Sequence, residues 1–270
     1  MPDRARFSSE ATARLAAVLQ TAKGLISIED AMAALDIDRL AAAKALSRWR
    51  QQGWLKRVGR GLYAPIPLDA LAVGQVLDDP WILVPALFSP GYVSGWTAAE
   101  HWGFTEQIFR SIFVVTAKSI RAREQVVQGV VFTLKRTRTT AIFGTRSLWR
   151  GQTRVAIADK HRTILDMLDD PATGGGVRHV DSCLSAYLRD PDCDLPTLIR
   201  YAETLGNGAV FKRLGFLVAQ RPGYKEFADA CQQRLTTGNA MLDPALPSRR
   251  LIKKWRLWIP KNWASDASHD

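Results

Sequence analysis

The sequence is poor in cysteine and lacks the spacings that cysteine chemistry requires. Only three of its 270 residues are cysteines, and Cys183, Cys193 and Cys231 form no C-x-x-C pair. An odd number of thiols at these spacings argues against a disulfide framework and against a structural zinc site. We therefore expect reduced thiols and a cytoplasmic location.

Long apolar runs are also missing. No stretch of about 18 consecutive apolar residues occurs, so we expect no membrane span. The N-terminal segment MPDRARFSSEA carries charges with no apolar run behind them. It therefore lacks the pattern of a secretory signal peptide.

Several enzyme signatures are absent as well. The sequence contains no G-x-x-x-x-G-K-[ST], no H-E-x-x-H and no E-x-K, the patterns of P-loop enzymes, zinc proteases and one class of nucleases. Asp192 and Asp194 follow a glycine run, as in a nucleotidyltransferase, but they come after a predicted helix and beside prolines. A metal-binding pair belongs on a strand, so a polar loop is the better interpretation. For His101, which lies in an aromatic-rich segment, we expect a buried, hydrogen-bonded role. We expect no catalytic residues, no metal site and no cofactor.

Acidic residues are scarce where basic residues gather. The net charge is +11 and the isoelectric point is about 9.9. Residues 118–154 contain nine Lys/Arg and one acid, residues 249–261 contain six Lys/Arg and no acid, and no acid occurs among residues 39–68. Charge concentrated in this way indicates a basic face and favours a polyanionic partner such as nucleic acid.

The first 66 residues have the pattern of a winged helix-turn-helix. A helix is predicted over residues 8–24, a second begins after the N-cap Ser27, and a third begins after Asp38 and ends at Gly53. Two β-prone runs on either side of a glycine-containing turn then predict a hairpin within LKRVGRGLYAP, residues 55–65. Three short helices followed by a basic hairpin define this motif.

The third helix has an open basic face. On a helical wheel centred on Leu46, Ala43, Trp49 and Arg50 fall within about 60° on the packing side, and the opposite side carries the cations. We expect the helix to reach base edges through its polar side chains and the hairpin to bind phosphate through Arg57 and Arg60. The full predicted DNA-binding set is Arg39, Lys44, Ser47, Arg48, Gln51, Lys56, Arg57 and Arg60.

The turn Gly59-Arg60-Gly61 admits three interpretations. It could cradle phosphate in an enzyme, form the tip of a DNA-binding hairpin, or be an ordinary surface turn. A catalytic phosphate loop has a helix directly after its glycines, but LYAPIP follows here, and Pro65 and Pro67 oppose an immediate helix. The hairpin tip is therefore favoured.

The pattern of the remaining sequence predicts a larger second domain. Residues 67–80 resemble a linker with a short helix, and residues 81–270 form a mixed α/β domain with a helical end, so the fold class is α+β. Helices are predicted in PWILVPALF and GWTAAEHWGF, strands in residues 111–118, 126–137 and two following segments, and helices from Asp159 onward. The alternation in RRLIKKWRLWIPKNW predicts one further strand.

Four segments, taken in order, resemble the AbiEi antitoxin family of type IV toxin–antitoxin systems. They are ALSRWRQQGWLKRVGRGLYAP (45–65), SPGYVSGWTAAEHWGFTEQI (89–108), IADKHRTILDMLDDP (157–171) and LIRYAETLGNGAVFKRLGFLVA (198–219). The resemblance implies that the winged helix binds DNA upstream of its own operon and represses transcription. It also implies that the C-terminal domain counters a nucleotidyltransferase-like toxin, without assuming that the two bind each other, and self-association on repeated operator sites is compatible with it.

In that family, basic surface on the C-terminal domain is associated with antitoxicity. The matching candidates here are Arg121, Arg123, Lys135, Arg136, Arg138, Arg146 and Arg150. The same cations could instead form a charged sheet edge that discourages aggregation. Two other functions stay open from the sequence: a winged-helix regulator whose C-terminal domain senses a ligand, and a nucleic-acid-processing enzyme.

Overall fold

A computed structural model describes residues 9–22, 24–66, 79–261 and 263. The predicted linker falls almost entirely on residues 67–78, outside the described residues. The described chain resumes at Asp79, whose side chain accepts a hydrogen bond from the Trp81 amide at 3.0 Å and caps a 3-10 helix, Pro80–Ile82. The architecture is α+β, as predicted.

The N-terminal unit contains three helices and a three-stranded antiparallel sheet in the order β1-β3-β2. Ser27 and Asp30 form a reciprocal capping box at the second helix, and Asp38 caps the third by accepting from the Ala41 amide at 2.7 Å. These local signals explain why the predicted helix starts are confirmed. The elements are α1 (Ser9–Thr21), β1 (Ile26–Ser27), α2 (Ile28–Leu35), α3 (Arg39–Gln51), β2 (Leu55–Gly59) and β3 (Leu62–Pro65).

A six-stranded mixed sheet forms the centre of the remaining chain, in the order β6-β7-β5-β4-β9-β8. Phe113, Val114, Phe132 and Ile157 are fully buried within it, so the sheet is covered on both faces. Its elements and the helices between them are α4 (Leu83–Phe88), β4 (Gly91–Val93), α5 (Gly95–His101), β5 (Ser111–Thr116), β6 (Glu124–Val127), β7 (Val130–Arg136), β8 (Thr145–Arg150) and β9 (Thr153–Ala158).

Helices then dominate, as the sequence predicts, and a second small sheet follows them. Apolar residues of α6, α7 and α9 form the largest core cluster together with residues of this sheet. The elements are α6 (Lys160–Asp169), α7 (Val177–Leu188), α8 (Leu195–Leu205), α9 (Gly208–Val218), α10 (Lys225–Gln232), β10 (Ala240–Met241), β11 (Ser248–Ile252) and β12 (Leu257–Pro260). In the part of the chain that the structure describes, no helix combines the length and the apolar character needed to cross a lipid bilayer.

Two predicted strands are wrong in their extent. Residues 126–137 form two antiparallel strands, β6 and β7, because Gln128 and Gly129 both take positive φ and turn the chain. The C-terminal segment likewise forms β11 and β12 instead of one strand. A 3-10 turn at Lys253–Trp255, followed by Arg256 at φ 51°, reverses the chain so that Leu251 pairs with Trp258.

The buried pair Lys212 and Arg213 on α9 has a structural role. Arg213 Nη1 donates to the carbonyl oxygens of Leu168 and Asp169 at 2.7 and 3.0 Å, which satisfies backbone acceptors at the C-terminal end of α6. Lys212 Nζ donates to the Gly238 carbonyl oxygen at 3.0 Å and holds the loop that leads into β10. The KRLGF segment therefore belongs to the scaffold.

The winged helix and the six-stranded sheet share a core. Leu25, Val58 and Ala64 are buried in the same cluster as Leu83 and Val84 of α4. The wing is also held by a hydrogen bond from Gln128 Nε2, in the β6–β7 turn, to the Arg57 carbonyl oxygen at 2.7 Å. These contacts fix the orientation of the wing relative to the sheet.

Candidate nucleic-acid interface

Helix α3 presents a polar row to solvent. Ala42, Leu46 and Trp49 are buried, while Lys44, Arg48 and Gln51 are exposed and Ser47 is half-buried. The predicted open face is therefore present. The prediction for Arg50 is wrong. The helical wheel places Arg50 on the packing side, but its side chain is exposed. The buried face is centred between Leu46 and Trp49, which turns Arg50 outward.

Arg39 lies at the start of α3 and pairs with Glu29 of α2. Each side chain is 65% exposed. The hydrogen bond from Arg39 lowers the pKa of the Glu29 carboxyl. Because exposed ion pairs contribute little to stability, Arg39 can exchange this carboxylate for a phosphate at small cost.

The hairpin of β2 and β3 ends in the two-residue turn Arg60-Gly61. Gly59 pairs with Leu62 across the strands, and Gly61 takes φ +72°, a conformation that suits glycine. Arg60 at the tip is exposed, as are Lys56 and Arg57 on β2. Arg57 Nε donates to the Gly59 carbonyl oxygen at 3.1 Å, so this side chain runs along its own hairpin toward the tip.

The sequence pattern does not identify Arg14 as a cation that lies near α3. Arg14 of α1 lines the same surface groove as Lys44 and Arg48. The sequence around Arg14 shows only the apolar periodicity of α1. That periodicity does not show which helix packs beside α1. The winged helix thus offers exposed cations from α1, α3 and the wing.

The C-terminal basic candidates form two groups, one toward each edge of the sheet. One group follows β6, β7 and their flanking loops, and the other lies on β8, at the far end of the strand order. The first group is Arg121, Arg123, Lys135, Arg136 and Arg138, and the second is Arg146 and Arg150.

Some of these side chains already have partners. Lys135 pairs with Asp169 at the end of α6. Arg150 lies 3.7 Å from the Asp79 carboxylate and stacks 4.5 Å above the Trp81 ring. No ion pair among the described residues involves Arg136, Arg138 or Arg146, so each edge retains exposed, unpaired charge.

The residues considered for enzyme chemistry have structural contacts. Asp194 caps α8 by accepting from the Thr197 amide at 3.0 Å, and Asp192 pairs with Lys160 at 2.9 Å. The expectation for His101 is wrong: it lies at the end of α5, where its side chain is exposed and makes no hydrogen bond to the described residues. Its ring packs against Trp81, and partial burial there lowers the pKa of His101. Within the described ranges, no group of three or more His, Cys, Asp or Glu side chains could hold a metal ion.

Comparison with known proteins supports this architecture. The three helices with their basic hairpin, followed by the six-stranded sheet and its helices, define a winged helix-turn-helix protein with a large α/β domain. The chain is similar over nearly its whole length to the crystal structure of the RV2827C protein from Mycobacterium tuberculosis. The TM-score is 0.63 and the identity 17%, and the match covers 94% of this chain and 92% of that one. At this identity the similarity shows a shared fold.

The N-terminal unit is the part of the chain that matches a family model. Residues 13–66 match the family model described as transcriptional regulator, AbiEi antitoxin. This match confirms the resemblance to the AbiEi antitoxin family for the winged helix. A search of curated protein sequences finds no significant match.

Proposed function

We propose that the protein is a cytoplasmic DNA-binding autorepressor that binds operator sites upstream of its own operon. The observation that supports this most directly is the exposed row of Lys44, Arg48 and Gln51 on α3 beside the exposed hairpin tip at Arg60. A helix placed in the major groove reads base edges with Arg, Gln and Ser side chains. The wing cations then contact the phosphate backbone.

Each element has a distinct expected signature. Arg60→Ala weakens binding equally on all sequences and lowers the salt dependence, because a phosphate contact carries no sequence information. Arg48→Ala weakens operator binding more than non-specific binding. A fluorescence-anisotropy titration of both variants on an upstream duplex and on a scrambled duplex separates these roles. If wild-type protein prefers neither duplex, the operator proposal is wrong.

We further propose that the protein is the antitoxin of a type IV pair and counters a nucleotidyltransferase-like toxin encoded beside it. The support is the family match of the winged helix, together with exposed basic surface on the C-terminal domain. Direct binding of the toxin is not part of the proposal. Antitoxicity is assigned to residues 81–270, and DNA binding to residues 1–66.

A growth-rescue experiment tests this assignment. Deleting residues 1–66 would expose the apolar surface that Val58 and Ala64 cover, so substitutions are the cleaner choice. We expect Arg48→Ala/Arg60→Ala to retain rescue of cells that express the toxin. Because the basic candidates lie toward two edges, Arg136→Glu/Arg138→Glu and Arg146→Glu are tested separately. Full rescue by both edge variants would exclude these cations as the basis of antitoxicity.

A further inference from the structure

A surface groove separates α1 from α3 and has a volume of 430 Å³. Its walls contain three cationic side chains, three alanines and one tryptophan. The lining residues are Ala11 and Arg14 of α1 and Ala41, Lys44, Ala45, Arg48 and Trp49 of α3.

The groove is positively charged, and its three cations make no ion pair with the described part of the chain. Arg14, Lys44 and Arg48 are all exposed, and no ion pair among the described residues involves any of them. Arg39, by contrast, is paired with Glu29 on the same domain. Because like charges that share a groove repel one another, an anion bound between them would be stabilised.

The chemistry of the lining selects the class of anion. None of the seven lining residues is acidic, so the groove offers no carboxylate to a divalent cation. Ala11, Ala41 and Ala45 keep the walls low, so an extended backbone can approach closely. Arginine and lysine are the usual partners of phosphate groups.

The position of the groove fits one side of a DNA major groove. On α3, residues Ala41 and Ala45 lie on one side of the Lys44–Arg48 row, and Ser47 and Gln51 lie on the other. A helix inserted in the major groove has a phosphate row on each flank. A contact from α1 can therefore reach backbone phosphates on the Ala41 and Ala45 side, while Arg48, in the row between the two sides, faces the bases together with Ser47 and Gln51.

We propose that the groove between α1 and α3 binds phosphates of the DNA backbone, with Arg14 as a phosphate-binding residue. This inference rests on the proposed DNA binding. It extends the contact surface from α3 and the wing to α1.

The test is a salt titration of DNA affinity with full-length Arg14→Ala. We expect affinity to fall roughly five- to ten-fold at 0.1 M salt on operator and scrambled duplexes alike. The slope of log affinity against log salt should decrease by about 0.9, the value for one lost phosphate contact. Arg14→Lys should keep most of the slope because it keeps the charge. Lys225→Ala, which removes an exposed cation from α10, is the matched control and should bind like wild type.

Three results would overturn the inference. The first is an unchanged salt slope for Arg14→Ala. The second is a loss confined to the operator duplex, which would make Arg14 a base-reading residue. The third is an equal loss in Lys225→Ala, which would show a general effect of net charge. Each of these results is obtained with wild-type protein that binds DNA, so it overturns the inference alone. If wild-type protein binds neither duplex, the proposed function itself fails. Circular dichroism melting verifies that each variant is folded.

Discussion

Replacing Asp166 by alanine should destabilise the protein strongly, because it would leave a buried cation without its anion. Arg162 and Asp166 lie one turn apart on α6, and their side chains are only 2% and 6% exposed. Arg162 Nε donates to Asp166 Oδ1 at 2.8 Å. Ser94 Oγ and the Tyr92 hydroxyl donate to Oδ2 at 2.6 and 3.1 Å. One carboxylate therefore joins α6 to the segment around β4.

The expected cost follows from these contacts. The Arg162 guanidinium lies 4.1 Å above the Phe143 ring and, among the described residues, has no carboxylate partner other than Asp166. Removing one partner of a buried ion pair costs about 3–5 kcal/mol. The exposed pair of Glu203 and Arg234, with side chains 50% and 35% exposed, is the matched control. Glu203→Ala should cost less than about 1 kcal/mol.

Urea denaturation followed by circular dichroism measures the free energy of unfolding of Asp166→Ala and of Glu203→Ala. The double variant Arg162→Met/Asp166→Ala isolates the buried charge. It should be more stable than Asp166→Ala alone, because the uncompensated guanidinium is gone. The single variant Arg162→Met completes the comparison. If Asp166→Ala costs no more than Glu203→Ala, or if the double variant loses the sum of the losses of Arg162→Met and Asp166→Ala, the reasoning is wrong.

Two further predictions concern thiols and acid stability. Burial raises the pKa of Cys183 and of Cys231 to about 12. A thiol reagent should therefore label at most the half-buried Cys193 in the folded protein, and all three thiols in urea. Rapid labelling of Cys183 under native conditions would contradict this. Burial alone would raise the pKa of Asp169, but Lys135 and Asn207 outweigh it and hold that pKa below the usual 3.8. The charged carboxylate therefore stabilises the fold above the pKa of the unfolded chain, and this contribution is lost as the pH falls through the lower folded-state pKa. Urea denaturation of wild type and Asp169→Asn should show a stability difference that is constant near neutral pH and shrinks below about pH 4, and a difference that stays constant to pH 3 would refute it.

Local features of the fold could be predicted from the sequence because the signals themselves are local. Ser27 and Asp38 define the starts of α2 and α3 by capping contacts within three residues. The Arg60-Gly61 turn defines the hairpin in the same way. Strand β4 was not predicted, since three residues between Pro90 and Ser94 give no periodicity. It nevertheless lies within the sheet and pairs with both β5 and β9.

The arrangement of the candidate sites required tertiary structure. Arg138 and Arg146 are close in sequence, yet they belong to groups toward opposite edges of the sheet, because the strand order is not the chain order. Arg14 joins Lys44 and Arg48 only through the packing of α1 beside α3. Periodicity identifies which face of one helix is open, but it does not identify the neighbouring helix.

The central claim is that α3 and the wing act together on DNA. The most direct measurement compares wild type with Arg48→Ala/Arg60→Ala on a duplex from upstream of the protein's own gene. Both side chains are exposed, so the double variant should fold like wild type. We predict that it loses operator binding at a salt concentration where wild type binds, and that its salt dependence is reduced. Equal affinity of wild type and the folded double variant would contradict the account.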